Sequence, residues 1–105
     1  MNIDSSKIPF RDNEALHRFE IEVNGYIAFI TYRKRGKHVA LLHTEAAQEL
    51  IGTGAAAVLA EKTFIYLQQQ GFTILPYCPY LIKYIQKHPE WKPLVYSSFD
   101  DYDKL

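Results

Sequence analysis

From Leu41 to Ala60 the chain reads L-L-H-T-E-A-A-Q-E-L-I-G-T-G-A-A-A-V-L-A: an apolar strand-like run, a short polar turn, two glycines one residue apart, then a helical run. A strand that hands over to a helix through Gly52 and Gly54 brings unpaired N–H groups and the positive end of a helix dipole to one point. Glycines at such a junction permit positive φ and let the backbone approach an anion closely, so a phosphate fits there. An ordinary tight turn carries the same two glycines, and the rest of the chain decides between the two readings.

Upstream, Arg18 to Val23 alternates Phe19, Ile21 and Val23 with Glu20 and Glu22, the period of a strand with one wet face. Asn24-Gly25 follows, and both central residues of a type I′ hairpin turn need positive φ, which this pair supplies. Tyr26 to Tyr32 is apolar on both parities and predicts an interior strand covered on both faces. A basic turn, Arg33 to Lys37 around Gly36, leads to a third strand, His38 to Leu42, completing an antiparallel meander.

Downstream, Ala55 to Gln70 has helical spacing, with Glu61, Lys62, Gln68 and Gln69 as a narrow polar stripe and Val58, Leu59, Phe64, Ile65 and Leu67 facing the sheet. Gly71 suits the position that ends a helix. Phe72 to Leu75 then begins a strand expected to lie parallel to the one that launched the helix. Pro79 suits the first position of a second helix, which buries Leu81, Ile82 and either Ile85 or Tyr84 and stops at Pro89. The first dozen residues and the last ten read as loosely tied. The expected fold class is α+β, a mixed, mostly antiparallel sheet with two main helices, in a single domain over residues 1–105.

A chain of 105 residues that is 48% apolar can bury one core but not two. Its 12 basic and 12 acidic side chains cancel, which argues against a nucleic-acid backbone as partner. The lone cysteine suits a reducing compartment, no apolar run approaches a bilayer span, and Asp4, Lys7, Arg11 and Asp12 interrupt anything like a signal peptide. A cytoplasmic protein without membrane or nucleic-acid partners is expected. One cysteine and four scattered histidines lack zinc-site spacing, so no metal is expected. Neither the Gly-Lys-Ser/Thr of a P-loop nor a G-x-S-x-G elbow is present.

The strand ending in His43-Thr44-Glu45, the glycine turn, the long helix and the helix start Pro76-Tyr77-Cys78-Pro79-Tyr80 form one joint pattern with the hairpin F-E-I-E-V-N-G-Y-I-A-F-I-T-Y-R. Over nearly the whole chain this pattern resembles the small stand-alone members of the GNAT acetyltransferase superfamily. The resemblance implies a compact GNAT-like fold, acetyl-coenzyme A as cosubstrate, and acetyl transfer to an amine of a small molecule or protein. It places the pyrophosphate on the turn formed by Ile51, Gly52, Thr53, Gly54, Ala55 and Ala56. In the superfamily's R/Q-x-x-G-x-G/A pattern Gly54 and Ala56 match, whereas Ile51 stands where Arg or Gln is usual. Backbone donors survive that change, but a side-chain contact worth on the order of 1.5–3 kcal/mol is lost. The pantetheine arm is implied to run along Leu41, Leu42, His43 and Thr44, with Leu75 to Cys78 as the second wall.

Cys78, before Pro79 at a helix start, sits where the dipole and free N–H groups favour thiolate. It can serve as nucleophile, as proton acceptor or as neighbour of the coenzyme sulfur, or it can be a small buried hydrophobe. His43 can accept a proton from an attacking ammonium near neutral pH, or simply bond backbone at a strand end. Glu45 can orient it. Tyr80 and Tyr84 can cover the pantetheine arm or act as acid, or pack as core aromatics; His88 reads as a helix-end residue, and His17 and His38 carry no signal. Since most of the superfamily transfers acetyl without an acyl-enzyme, direct attack in a ternary complex is the expected mechanism. Two alternatives stay open: a non-catalytic acyl-CoA-binding module, which Ile51 favours, and a protein-interaction module using the aromatic tail from Trp91 to Tyr102. The acceptor amine and the oligomeric state are not specified by the sequence.

Overall fold

A computed structural model describes residues 5–105. Five strands, β1 (Phe10–Asn13), β2 (Arg18–Val23), β3 (Tyr26–Arg35), β4 (His38–Ala46) and β5 (Thr73–Pro76), lie in the order β1-β2-β3-β4-β5. All neighbours are antiparallel except β4 and β5, which are parallel and joined through helix α1 (Ala55–Gln69); helix α2 (Pro79–Lys87) follows β5. The fold is α+β, as expected. The β2–β3 turn has Asn24 at φ 53° and Gly25 at φ 83°, the double positive φ of the hairpin signal. Helix α1 ends with the Gly71 N–H donating to Gln68 O and the Phe72 N–H to Leu67 O, with Gly71 at φ 81°.

Leu59, Phe64 and Leu67 of α1 are fully buried against Phe19, Ile21, Ile30, Leu41 and Ile74 of the sheet. Ile65 is 36% exposed, since it falls on the outer side of the helix between the Glu61–Lys62 and Gln68–Gln69 pairs. In α2 the buried residues are Leu81, Tyr84 and Ile85, with Ile82 only half-covered. The expectation that β3 is covered equally on both faces is corrected. Ala28, Ile30 and Tyr32 are buried, whereas Ile27, Phe29 and Thr31 are half-covered, and Phe29 is shielded by the Arg18 guanidinium 4.2 Å above its ring.

Both chain ends are better tied than their composition indicates. Strand β1 pairs with β2 from Phe10↔Ile21 to Asn13↔Arg18, held by Phe10 rings 6.0 Å from Phe19 and 5.5 Å from Tyr66. Residues 1–4, also expected to be loose, lie outside the described residues. At the other end Val95 bridges Ile74, the Tyr96 N–H donates to Ile74 O at 3.0 Å, and the buried Phe99 meets Tyr77 at 5.2 Å. The tail thereby covers the outer edge of β5, an edge that would otherwise offer unpaired backbone groups. Trp91 is likewise engaged, 5.6 Å from Phe64, and Tyr102 lies under Lys92.

Glu20 is 1% exposed on β2, where Arg11, Arg18 and Asn13 all donate to its carboxylate. Burial alone raises the pKa of this group, but the bonds from Arg18, Arg11 and Asn13 outweigh it and leave the carboxyl below its ordinary value. A depressed folded pKa gives stability that is present above the unfolded value of 4.5 and lost as pH falls through the folded one. Thermal melts should therefore weaken steadily below about pH 4.5. In Glu20→Gln that part of the acid slope should be missing, and an unchanged slope would remove Glu20 from the explanation.

Candidate functional site

The four-residue pairing of β4 with β5, from His38↔Thr73 to Leu41↔Pro76, is the geometric origin of the site. Past Pro76 the Tyr77 and Cys78 N–H groups both donate to one acceptor, Leu41 O, at 3.0 and 3.2 Å. Proline cannot extend a ladder, and Pro79 fixes the φ that starts α2, so the chain turns away here. Strand β4 continues to Ala46 paired only with β3, leaving its other edge open beside the start of α2. On the β3 side the register jumps from Thr31↔His43 to Tyr32↔Leu41, which makes Leu42 the extra residue of a β-bulge. Bulges of this kind re-aim side chains and are over-represented beside active sites.

The open edge leads to the β4–α1 connection. Gly52 at φ 81° and Gly54 at φ 87° take the positive φ that the sequence pattern requires. The N–H groups of Ile51, Thr53 and Ala55 are used within the turn, bonding Gln48 O, Leu50 O and Thr53 Oγ1. Those of Gly52, Gly54, Ala56 and Ala57 have no acceptor among the described residues. Four N–H groups at a helix N-terminus thus remain for an outside acceptor. The turn is braced by the Thr53 hydroxyl, which donates to Leu50 O at 2.6 Å and accepts from the Ala55 N–H, and by Leu50, only 4% exposed. This brace was not anticipated from the sequence; a Thr two residues before the helix is its one local signal. Ile51 is 73% exposed, so its side chain has no part in holding the turn.

At the other end of the gap Cys78 caps α2 and is 4% exposed. Its thiol makes no capping bond; its polar neighbour is the Thr44 hydroxyl, 3.3 Å away across the gap between β4 and α2. His43 and Glu45 point to the opposite face from Thr44 because side chains alternate along a strand. The His43 and Glu45 side chains are 63% and 61% exposed, with Nε2 and Oε2 3.9 Å apart. The structure therefore brings Thr44 to Cys78 and Glu45 to His43, but it does not bring His43 to Cys78.

Tyr80 is 36% exposed, and burial, with Cys78 nearby, pushes its hydroxyl above the ordinary value, which keeps it a proton donor. Tyr84 turns toward α1, 5.7 Å from the Phe64 ring and 4.4 Å from that of His88. Only 7% of it is exposed, and burial together with Glu61 pushes its hydroxyl up to about 12. Of the two tyrosines Tyr80 is the more accessible. His38 bonds Thr73 and stacks on Tyr96, and His17 stands at φ 52° after the 3-10 turn Glu14–Leu16. No helix among the described residues is long and apolar enough to cross a membrane.

A parallel β4–α1–β5 crossover with a bulged, splayed strand and an open glycine turn defines an architecture, and comparison with known families gives it a name. The family of GCN5-related N-acetyl-transferases matches residues 18–94, from the start of β2 to the end of the 3-10 turn after α2. The chain belongs to this family. No curated protein matches it.

Proposed function

We propose that the protein binds acetyl-coenzyme A and transfers the acetyl group to an amine by direct attack. The observation that carries this reading is the set of four unpartnered N–H groups, of Gly52, Gly54, Ala56 and Ala57, at the end of the open β4 edge. They suit the coenzyme pyrophosphate, and the free backbone edge of β4 suits the amide groups of the pantetheine arm, which pair with it as a further strand. Family membership supports the same assignment.

The thioester then lies near the place where β4 and β5 part. The amine nitrogen attacks the carbonyl carbon, the C–N bond forms, and the C–S bond breaks with the electron pair leaving on the coenzyme sulfur. In this reading His43, oriented by Glu45, takes the proton released by the ammonium, and Tyr80, whose hydroxyl stays protonated, donates one to the departing thiolate. Cys78, buried against Thr44, lines the sulfur end of the slot. The packed aromatic tail weakens the interaction-module reading, since Phe99 is occupied on Tyr77 and Trp91 on Phe64.

Titration calorimetry with acetyl-CoA, followed by intact mass and a coenzyme-release assay over an amine panel, tests the reading. Binding should add RT ln(1 + [L]/Kd) to stability, about 2.7 kcal/mol at a hundredfold excess over Kd, and so raise the melting temperature. Product should appear without a stable acetyl adduct on Cys78. Absent heat and an unchanged melt at millimolar acetyl-CoA would overturn the binding. An acetyl mass on Cys78 that an amine discharges would replace direct attack by a covalent route.

A further inference from the structure

A cavity of about 450 Å³ lies beside the bulge, lined by Glu14, His17, Tyr32, Arg33, Lys34 and Leu42. It forms where β3 outruns β2: β2 begins at Arg18, paired with Thr31, whereas β3 extends to Arg35, and the Tyr32 N–H is satisfied by His17 O at 2.9 Å. The segment holding Glu14 and His17 is thus tied to the strand and forms one wall. It is fixed further by the Asn13 side chain, which accepts from the Leu16 N–H.

The charges on the lining are unequal in freedom. Lys34 is already committed, 3.8 Å from Asp12 and over the rings of Tyr32 and Phe72. Tyr32 donates to Asp12. Arg33 is exposed and has neither ion pair nor hydrogen bond among the described residues. It pairs with Ala40, two residues along β3 from Thr31, which faces His43. Arg33, Thr31 and His43 therefore share a sheet face, and diagonal neighbours on such a face lie about 7–8 Å apart. Glu14 gives the same cavity a negative group.

We propose that this cavity receives the acceptor and selects amines that carry a carboxylate, that is, zwitterionic amino acids. The inference rests on the transferase reading given above. The Arg33 guanidinium takes the carboxylate in a bidentate pair, Glu14 attracts the ammonium as the ligand enters, and once the carboxylate is seated the same nitrogen, a few bonds away, reaches His43. Leu42, displaced by the bulge, supplies the apolar surface under the connecting methylenes. A ligand carrying negative charge alone meets Glu14 and is disfavoured.

The test uses β-alanine, γ-aminobutyrate and ε-aminocaproate, each against its own carboxamide, which keeps the amine and removes the charge. Calorimetry and amide chemical shifts on the full chain saturated with CoA should show at least one acid bound about tenfold more tightly than its amide, with shifts centred on His17, Arg33 and Leu42. Arg33→Gln should erase the difference, while Arg35→Gln, an exposed cation outside the cavity, should keep it. Equal binding of acid and amide, a preference that persists in Arg33→Gln, or no binding by any acid at millimolar concentration would overturn the proposal. Turnover with acetyl-CoA separates the two readings. Acids bound with the Arg33 dependence but never acetylated would remove the transferase and keep the pocket, and efficient acetylation of neutral amines without preference would do the reverse.

Discussion

Gly54→Val should weaken coenzyme binding about a hundredfold while leaving a folded protein. A Cβ at this position would meet no protein atom within 4 Å, so no core contact is lost. The cost to folding is the left-handed backbone at φ 87°, about 1–2 kcal/mol for a residue with a side chain and most strongly resisted by a β-branched one. The loss of binding should be larger. The new side chain enters the open space beside the turn, and losing two charge-assisted bonds to its free N–H groups, at about 1.5 kcal/mol each, corresponds to roughly a hundredfold in affinity. Gly36→Val is the matching control: its φ of 63° and open surroundings carry the same strain in the β3–β4 turn, away from the β4–α1 connection. Calorimetry with CoA should give normal affinity for Gly36→Val and an affinity about a hundredfold weaker for Gly54→Val. Parallel loss in both would mean that strain alone is responsible, and normal binding by Gly54→Val would move the phosphate site elsewhere.

Phe64→Ala should cost the most stability, about 3–5 kcal/mol. Its ring is fully buried in α1 and sits edge-on to both Tyr84 of α2 and Trp91 of the following 3-10 turn, so its removal opens a cavity where three elements meet. Against a total of about 5–15 kcal/mol, denaturant midpoints should fall sharply, with a drop in melting temperature of roughly 15–25 °C. Because α2 starts directly after Cys78, loosening its contact with α1 also loosens one wall of the gap beside the open β4 edge. Saturating acetyl-CoA should recover part of the stability through binding to the folded state alone. A loss under about 1 kcal/mol would show that the α1–α2 contact collapses to fill the gap, as some core sites do.

What the sequence determined by itself was local. Asn24-Gly25 set a hairpin, Gly71 ended α1, Pro79 started α2, and Gly52 and Gly54 marked the β4–α1 turn, because each reflects a backbone geometry that few residue types adopt. Periodicity likewise exposed β2 and α1, whose apolar spacing is set by their own helical or strand repeat. Short segments with mixed polarity were not legible in that way. Phe10 to Asn13 became a strand because β2 offered a paired edge and Phe19 and Tyr66 a place for the Phe10 ring. The tail was fixed because the edge of β5 needed covering. The site followed the same division. Residue types announced Cys78, His43 and the glycine turn, but only tertiary pairing placed Thr44 rather than His43 against the thiol, bulged Leu42 out of register and gathered Glu14, His17 and Arg33 around one cavity. These outcomes depend on which strand lies opposite which and on where that pairing stops, and those are properties of distant segments meeting rather than of any one of them.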